Sequence, residues 1–243
     1  MLEYISAGVL QPIKALMSSS VFHFSLLNSV ELLCLNQIRL GNSDDGGWDM
    51  CLAGSFEPEV NNCLVYSFGI NNDWGFDDAV TQQFGCLVRA FDPTMKNYKK
   101  ATKRGDNIYF YPLGIYGKNT ILNIYGHGMC RVRTLGTLRK QFQDERKVID
   151  YLKMDVEGSE WPALKAIFAE GFLSKYVKQI SIEYHSYDSA KNGQDYLKIL
   201  ARIEELGFRK WNVHWNMNCL RMTRNDLSIT RCTEVYYVNM NFF

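Results

Sequence analysis

Two acidic side chains, Asp155 and Glu157, stand two residues apart in the string Asp155-Val156-Glu157-Gly158-Ser159-Glu160-Trp161. The run Val148–Met154 before it reads as a buried strand, and Pro162–Phe168 after it reads as the start of a helix. Both carboxylates therefore belong to a strand-to-helix turn, the edge at which open α/β sheets bind ligands. If the strand continues through Glu157, the period of two puts both side chains on one side of the chain. Gly158 permits a sharp exit, Ser159 suits the N-cap, and Pro162 suits the first helical turn. Carboxylates so placed can orient an acceptor or take its proton, or hold a divalent cation such as Mg²⁺. In a third reading they are structural, with Glu157 capping a neighbouring helix. The next strand ends in Glu183-Tyr184-His185, and His185 suits a general base working near neutral pH.

Two earlier turns offer further polar groups. In Ser67-Phe68-Gly69-Ile70-Asn71-Asn72-Asp73, Gly69 lets backbone approach a ligand closely, and Asn71 and Asp73 could bind its polar end. The competing account is a plain turn with Asp73 capping the helix. In Phe91-Asp92-Pro93, Asp92 ends the second strand about twenty residues after Gly69, the place of a ribose-binding acid in dinucleotide folds. An Asp-Pro turn is the alternative. Asp44-Asp45-Gly46-Gly47 reads as a loop closing over the site, or as a surface turn.

The elements that must position these groups alternate along the chain. Strands are expected at Leu64–Phe68, Cys86–Phe91, Ile108–Tyr111, up to Asp155, and at Val177–Tyr184, with a short one at Ile121–Tyr125. Helices are expected at Trp74–Phe84, Thr134–Phe142, Trp161–Phe172 and Gln194–Leu206. Phe208–Trp215 and Glu234–Met240 close the chain as a strand pair. Residues 42–62 read as a long loop, and residues 1–41 as a helical extension packed on a single domain of residues 42–243. Such alternation implies a mostly parallel sheet with helices on both faces.

The Asp155–Trp161 string resembles one in FkbM-type methyltransferases and in the methyltransferase-like protein twenty-four family. Asp44–Cys51, Cys63–Ile70 and Phe91-Asp92-Pro93 carry the same resemblance in the same order. It implies a Rossmann-like class I methyltransferase fold with seven strands, the last antiparallel. It also implies S-adenosylmethionine as cofactor and a small-molecule or glycan acceptor with an oxygen or nitrogen nucleophile. On that reading Gly69, Asn71, Asp73, Asp92 and Asp155 line the cofactor site, and Leu113, with Gly114 and Ile115, lies near the adenine. Asp155, Glu157 and His185 become the catalytic set. The glycine string is reduced relative to the common pattern, which keeps open a non-catalytic binding domain on the same fold.

A chain of 243 residues with 47% hydrophobic residues can bury a large core. Its net charge of +1 argues against a nucleic-acid partner, and the basic stretches Lys96–Arg104 and Arg131–Arg139 read as solvated faces. The uncharged stretch from Ala15 to Val30 is too short and too polar for a membrane span. Seven cysteines form no Cys-x-x-Cys pair. Cys51 with Cys63 and Cys219 with Cys232 are candidate disulfides, whereas Cys63 and Cys86 otherwise read as small buried hydrophobes. With no glycosylation sequon the cytoplasm is slightly favoured, a secretory or membrane-anchored setting being the alternative. No nicotinamide fingerprint is present, and Gly117-Lys118-Asn119-Thr120 reads as a turn.

Overall fold

The structure, a computed structural model, describes residues 2–4, 29–185, 189–216, 219, 221–224, 227–230 and 232–243. The chain begins with β1 (Leu2–Tyr4), β2 (Leu32–Cys34), β3 (Gln37–Leu40) and β4 (Trp48–Cys51). The central alternation then starts with β5 (Leu64–Phe68), α1 (Gly75–Phe84) and β6 (Leu87–Phe91). β7 (Thr102–Arg104), β8 (Ile108–Tyr111), β9 (Gly114–Ile115), β10 (Thr120–Ile124) and β11 (Gly128–Arg133) follow. Next come α2 (Leu135–Gln141), β12 (Ile149–Met154), α3 (Glu160–Glu170), α4 (Leu173–Tyr176), β13 (Val177–His185) and α5 (Ser189–Glu205). The last strands are β14 (Phe208–Trp215), β15 (Arg221–Arg224), β16 (Leu227–Thr230) and β17 (Cys232–Asn239).

The main sheet runs β14-β17-β13-β12-β5-β6-β8-β7. Strands β13, β12, β5, β6 and β8 are mutually parallel, while β17 is antiparallel to both of its neighbours. The sheet has eight strands where the resemblance implies seven, and one edge is the basic strand β7, antiparallel to β8. Charged side chains on an edge strand discourage pairing with another chain.

Every residue of β12 is buried, because layers cover both faces of the sheet. On one face Tyr66, Leu152, Met154 and Ile182 pack with Leu138 of α2, Leu164 and Ile167 of α3 and Ile203 of α5. On the other, Val65, Val88 and Tyr151 pack with Phe76 and Val80 of α1 and Trp48 and Met50 of β4. The charged members of the buried strands are paired. Asp150, for example, accepts from Leu64 N at 2.9 Å and meets Lys178 Nζ at 2.8 Å.

Several expectations change. Most of the expected helical extension, residues 5–28, lies outside the described residues. Its described part is extended, because Leu32-Leu33-Cys34 alternates buried and exposed in strand fashion. The long loop at 42–62 contains β4, which pairs with β3 from Gln37↔Cys51 to Leu40↔Trp48. The short strand near Ile121 is one arm of a hairpin, β10 with β11. β12 stops at Met154, and Glu157 adopts a left-handed φ of 55°, so Asp155 and Glu157 are not on one strand face. Ser159 makes no side-chain cap; the Glu160 carboxylate instead accepts from Val156 N at 2.9 Å.

The cysteines also depart from expectation. Disulfides join Cys34 to Cys51, Cys63 to Cys86, and Cys219 to Cys232, and Cys130 is free and buried. Cys63 and Cys86 each precede a strand, and the parallel register Leu64↔Leu87 brings their Cα atoms to 4.7 Å. Sequence separation alone cannot show such a register, so of the two candidate pairs only Cys219–Cys232 is found.

Candidate active site

Three strand ends are fastened together at their carboxyl edge. Gly69, at φ 82°, packs so closely on the next turn that a Cβ would lie 1.7 Å from the Asp155 carbonyl oxygen. Only glycine tolerates both the conformation and the contact. Gly69 N donates to Phe91 O at 2.9 Å, Asp155 N donates to Phe68 O at 3.1 Å, and Lys153 Nζ reaches Gly69 O at 2.6 Å. Asn71 and Asn72 continue the turn in left-handed conformations. The residue types match the backbone, because asparagine accepts that region more readily than most.

A cavity of about 490 Å³ opens at this edge. It brings together Gly69, Asn71, Asp92, Asp155 and Glu157, and also Gly114 and Ile115. Its opposite wall is the inward side of the β10–β11 hairpin, with Leu122, Ile124 and Val132 facing Phe91 and Pro93. The cavity thus has an apolar end and a polar end with three carboxylates, and no lysine or arginine is among the described residues that line it. A hollow of about 640 Å³ lies at the opposite, amino ends of the strands, away from the edge that binds ligands in such sheets.

Two expected site residues lie elsewhere. Asp73 accepts from Gly75 N at 2.9 Å and from Asn42 Nδ2 at 2.8 Å, so it starts α1 and ties it to the β3–β4 loop. Leu113 belongs to the core, and its neighbours Gly114 and Ile115 form the wall in its place. Asp92 is in the cavity but is fully engaged. Oδ2 accepts from Ile70 N and Asn71 N at 3.1 and 2.8 Å, and Oδ1 accepts from Thr94 N and Oγ1 at 2.8 and 2.6 Å. A carboxylate offers about four acceptor sites, so Asp92 braces the Gly69 turn with its full capacity.

His185 is 2% exposed. Its Nδ1 lies 3.0 Å from Glu160 Oε1, and its Nε2 lies 3.4 Å from both Glu157 Oε2 and Glu183 Oε2. Burial disfavours the charged ring, but the Glu160 hydrogen bond and the surrounding carboxylates outweigh it and push the pKa up to about 10. The ring is then a cation at neutral pH and has no lone pair to take a proton. This corrects the expectation of a neutral histidine base.

The site also contains two acids that the sequence reading did not single out. Glu160 is fully buried and holds both Val156 N and His185. Glu183 lies beside Asp155 in the continuation of the β12–β13 register and accepts from Asn216 Nδ2 at 2.8 Å. Burial and then the Asp155 charge push the Glu183 carboxyl up to about 9. Glu160 was hidden inside a helix-start string, and Glu183 inside an apolar strand. The signal for Glu183 was an acid in a strand whose other residues are mostly apolar.

Asp155, Glu157 and His185 present atoms within 4.8 Å of one another. Mg²⁺ requires an octahedral shell of oxygens, and both ring nitrogens of His185 already face carboxylates. Nothing in this donor set supports Mg²⁺.

The methyltransferase-domain family matches residues 8–224. The chain is 23% identical over 207 residues to a human protein described as probable methyltransferase-like protein 24, covering 79% of this chain and 55% of that one. The rat protein of the same description is 21% identical, covering 79% of this chain and 56% of that one. The chain therefore spans little more than half the length of these relatives. Among solved structures, it is similar to a putative rRNA-methylase from Clostridium thermocellum, with a TM-score of 0.38, 12% identity, and 74% and 88% of the two chains covered. It is also similar to a fibrillarin pre-rRNA processing protein from Methanococcus jannaschii, with a TM-score of 0.38, 10% identity, and 74% and 68% covered.

Proposed function

We propose, since this chain belongs to the methyltransferase-domain family, that it moves the methyl group of S-adenosylmethionine to an oxygen or nitrogen nucleophile of a small molecule or glycan. The observation that carries this reading is the cavity at the carboxyl ends of β5, β6 and β12. A cationic sulfonium suits a pocket whose charged lining residues, among those described, are Asp92, Asp155 and Glu157. The apolar wall of Ile115, Leu122, Ile124 and Val132 suits a flat base, and Gly69 with Asn71 offers backbone and amide groups to the amino-acid end. The bound cofactor supplies an activated methyl group, so the work left to the protein is alignment, which in well-oriented cases contributes roughly 7–11 kcal/mol. In this arrangement Asp155 faces the reacting centre and takes the acceptor's proton, with Glu157 supporting it. His185 acts as a fixed cation that holds Glu157 and Glu183 in place.

Three carboxylates at the cavity, with no lysine or arginine among its described lining residues, disfavour a phosphodiester at the reacting centre, so an RNA acceptor is not proposed. Three disulfides favour an oxidising compartment over the cytoplasm. Among the described residues, no helix is long and apolar enough to cross a membrane.

The saturated Asp92 carboxylate favours a second reading, a binding domain without turnover. Calorimetry separates the two stages. Saturable binding of S-adenosylmethionine or its demethylated product is expected, and Asp92→Ala should weaken it by about 1.5–3 kcal/mol through loss of the braced turn. No binding by the folded chain would end the methyl-transfer reading.

A further inference from the structure

The register of four strands lines up one row of side chains. Asp155 follows Met154, which faces Ile182, so Asp155 neighbours Glu183. Glu183 faces Glu234 on β17, and Glu234 faces His214 on β14. Opposed residues on neighbouring strands share a face. The row therefore runs from the cavity lip across the sheet, on the face where the β3–β4 hairpin approaches through Asp49 and Asn212, 2.9 Å apart. Glu183 and Glu234 are 5% and 2% exposed. Buried carboxylates in contact do not all ionise, and a hydrogen bond between two of them requires a proton.

We propose that Glu183 is a positioning residue for Asp155: its protonated carboxyl donates to one Asp155 oxygen and so holds the other toward the cavity as the proton acceptor. This deepens the methyl-transfer reading and rests on it. On transfer, the acceptor's O–H or N–H bond breaks as its oxygen or nitrogen bonds the methyl carbon. The C–S bond breaks with its electron pair kept by sulfur, and the released proton goes to Asp155. The pair therefore begins with one proton and ends with two.

The groups around Glu183 act in opposite senses. Asn216, after β14, donates to it and also reaches Asp45 Oδ1 at 3.3 Å. His185 lies 3.4 Å away, itself bridged to Glu160 of α3 and to Glu157. On β17, Glu234 lies 3.2 Å from His214 Nδ1 and accepts from Tyr236 OH, with Arg39 acting on it from β3. Burial and the Asp155 charge raise the Glu183 carboxyl, while His185 and Asn216 only partly offset them.

The test uses the full chain with ¹³C-labelled aspartate and glutamate carboxyls, titrated by NMR without cofactor. One carboxyl should titrate far above the ordinary range, near the value of about 9 given by its surroundings. Glu183→Gln should remove that signal. Asp155→Asn, a near-isosteric change, should lower the same midpoint by at least about 2 pH units. Should Glu183→Gln fail to fold, the native titration and Asp155→Asn read the same coupling from the other partner. The proposal is overturned if the native chain shows no late-titrating carboxyl, or if its midpoint is unchanged in Asp155→Asn. Cofactor binding is measured separately, so loss of the methyl-transfer reading and loss of the Glu183 assignment give different results.

Discussion

Two clusters of buried charge lie on different parts of the same sheet, and they are built in opposite ways. Around Asp144 the anion is fully compensated. It accepts from Arg89 Nε at 2.5 Å and from Tyr66 OH at 2.8 Å, and Lys147 Nζ lies at 2.8 Å. Burial would raise its carboxyl, but these partners outweigh burial and hold it below the usual range. Around Asp155 the acids outnumber their cations, and Glu183 is pushed up to about 9. The Asp144 cluster lies outside the 490 Å³ cavity, whereas the Asp155 cluster forms its lip. Compensated charge serves stability here; uncompensated charge at a ligand-binding edge is the arrangement that chemistry requires.

The comparison breaks most forcefully at Arg89. Arg89→Leu leaves Asp144 buried without its main partner, and the expected loss is about 3–5 kcal/mol in a denaturant melt. Cofactor binding per folded molecule should stay near native. Equal loss of binding would show that the two clusters are coupled.

Reduction should have the next largest effect. Cys63–Cys86 joins the amino ends of β5 and β6, the end away from the cavity. Removing a native disulfide typically costs about 2–4 kcal/mol, so the melting midpoint should fall clearly in reductant. Superimposable melts would show that the bridges are dispensable.

Over a single pH unit the smallest effect is that of pH itself, at most about 1.4 kcal/mol per titrating group, with opposite signs for the two clusters. His185 is raised from 6.5 to about 10, so the stability it contributes is full below pH 6.5 and is lost as pH rises toward 10. Glu183, raised from 4.5 to about 9, also loses its contribution as pH rises through that window. Asp144 is lowered from 3.8, so its contribution holds above that pH and disappears as pH falls below it. Stability measured against pH should therefore decline on both sides. His185→Gln should flatten the alkaline side and Asp144→Asn the acid side. If each variant altered the wrong side, the assignment of charge states would be reversed.

The alternation of strands and helices was legible because apolar runs of strand length and helical periods are local signals. The parallel core strands and the helices that cover them follow that reading closely. β4 and β7 were missed because short strands beside glycine or lysine carry little pattern of their own. They form through pairing with β3 and β8. The site was legible where a turn demanded a residue type, as at Gly69 and Asn71. It was illegible where a role depended on a neighbour: Asp73 turned toward Asn42, Asp92 filled its acceptors with Thr94 and the Gly69 turn, and Cys51 paired with Cys34 rather than Cys63.

By itself, then, the sequence determined an α/β sheet, the end of the sheet at which chemistry belongs, and the turns that carry Gly69, Asp92 and Asp155. Those follow from backbone propensity and side-chain period, which act over a few residues. Only the tertiary structure decided the charge states. Whether His185 is a base or a cation, and whether Glu183 keeps its proton, depends on burial and on acids from other strands and a helix. The field at a buried group is a sum over neighbours in space, and chain order does not contain it.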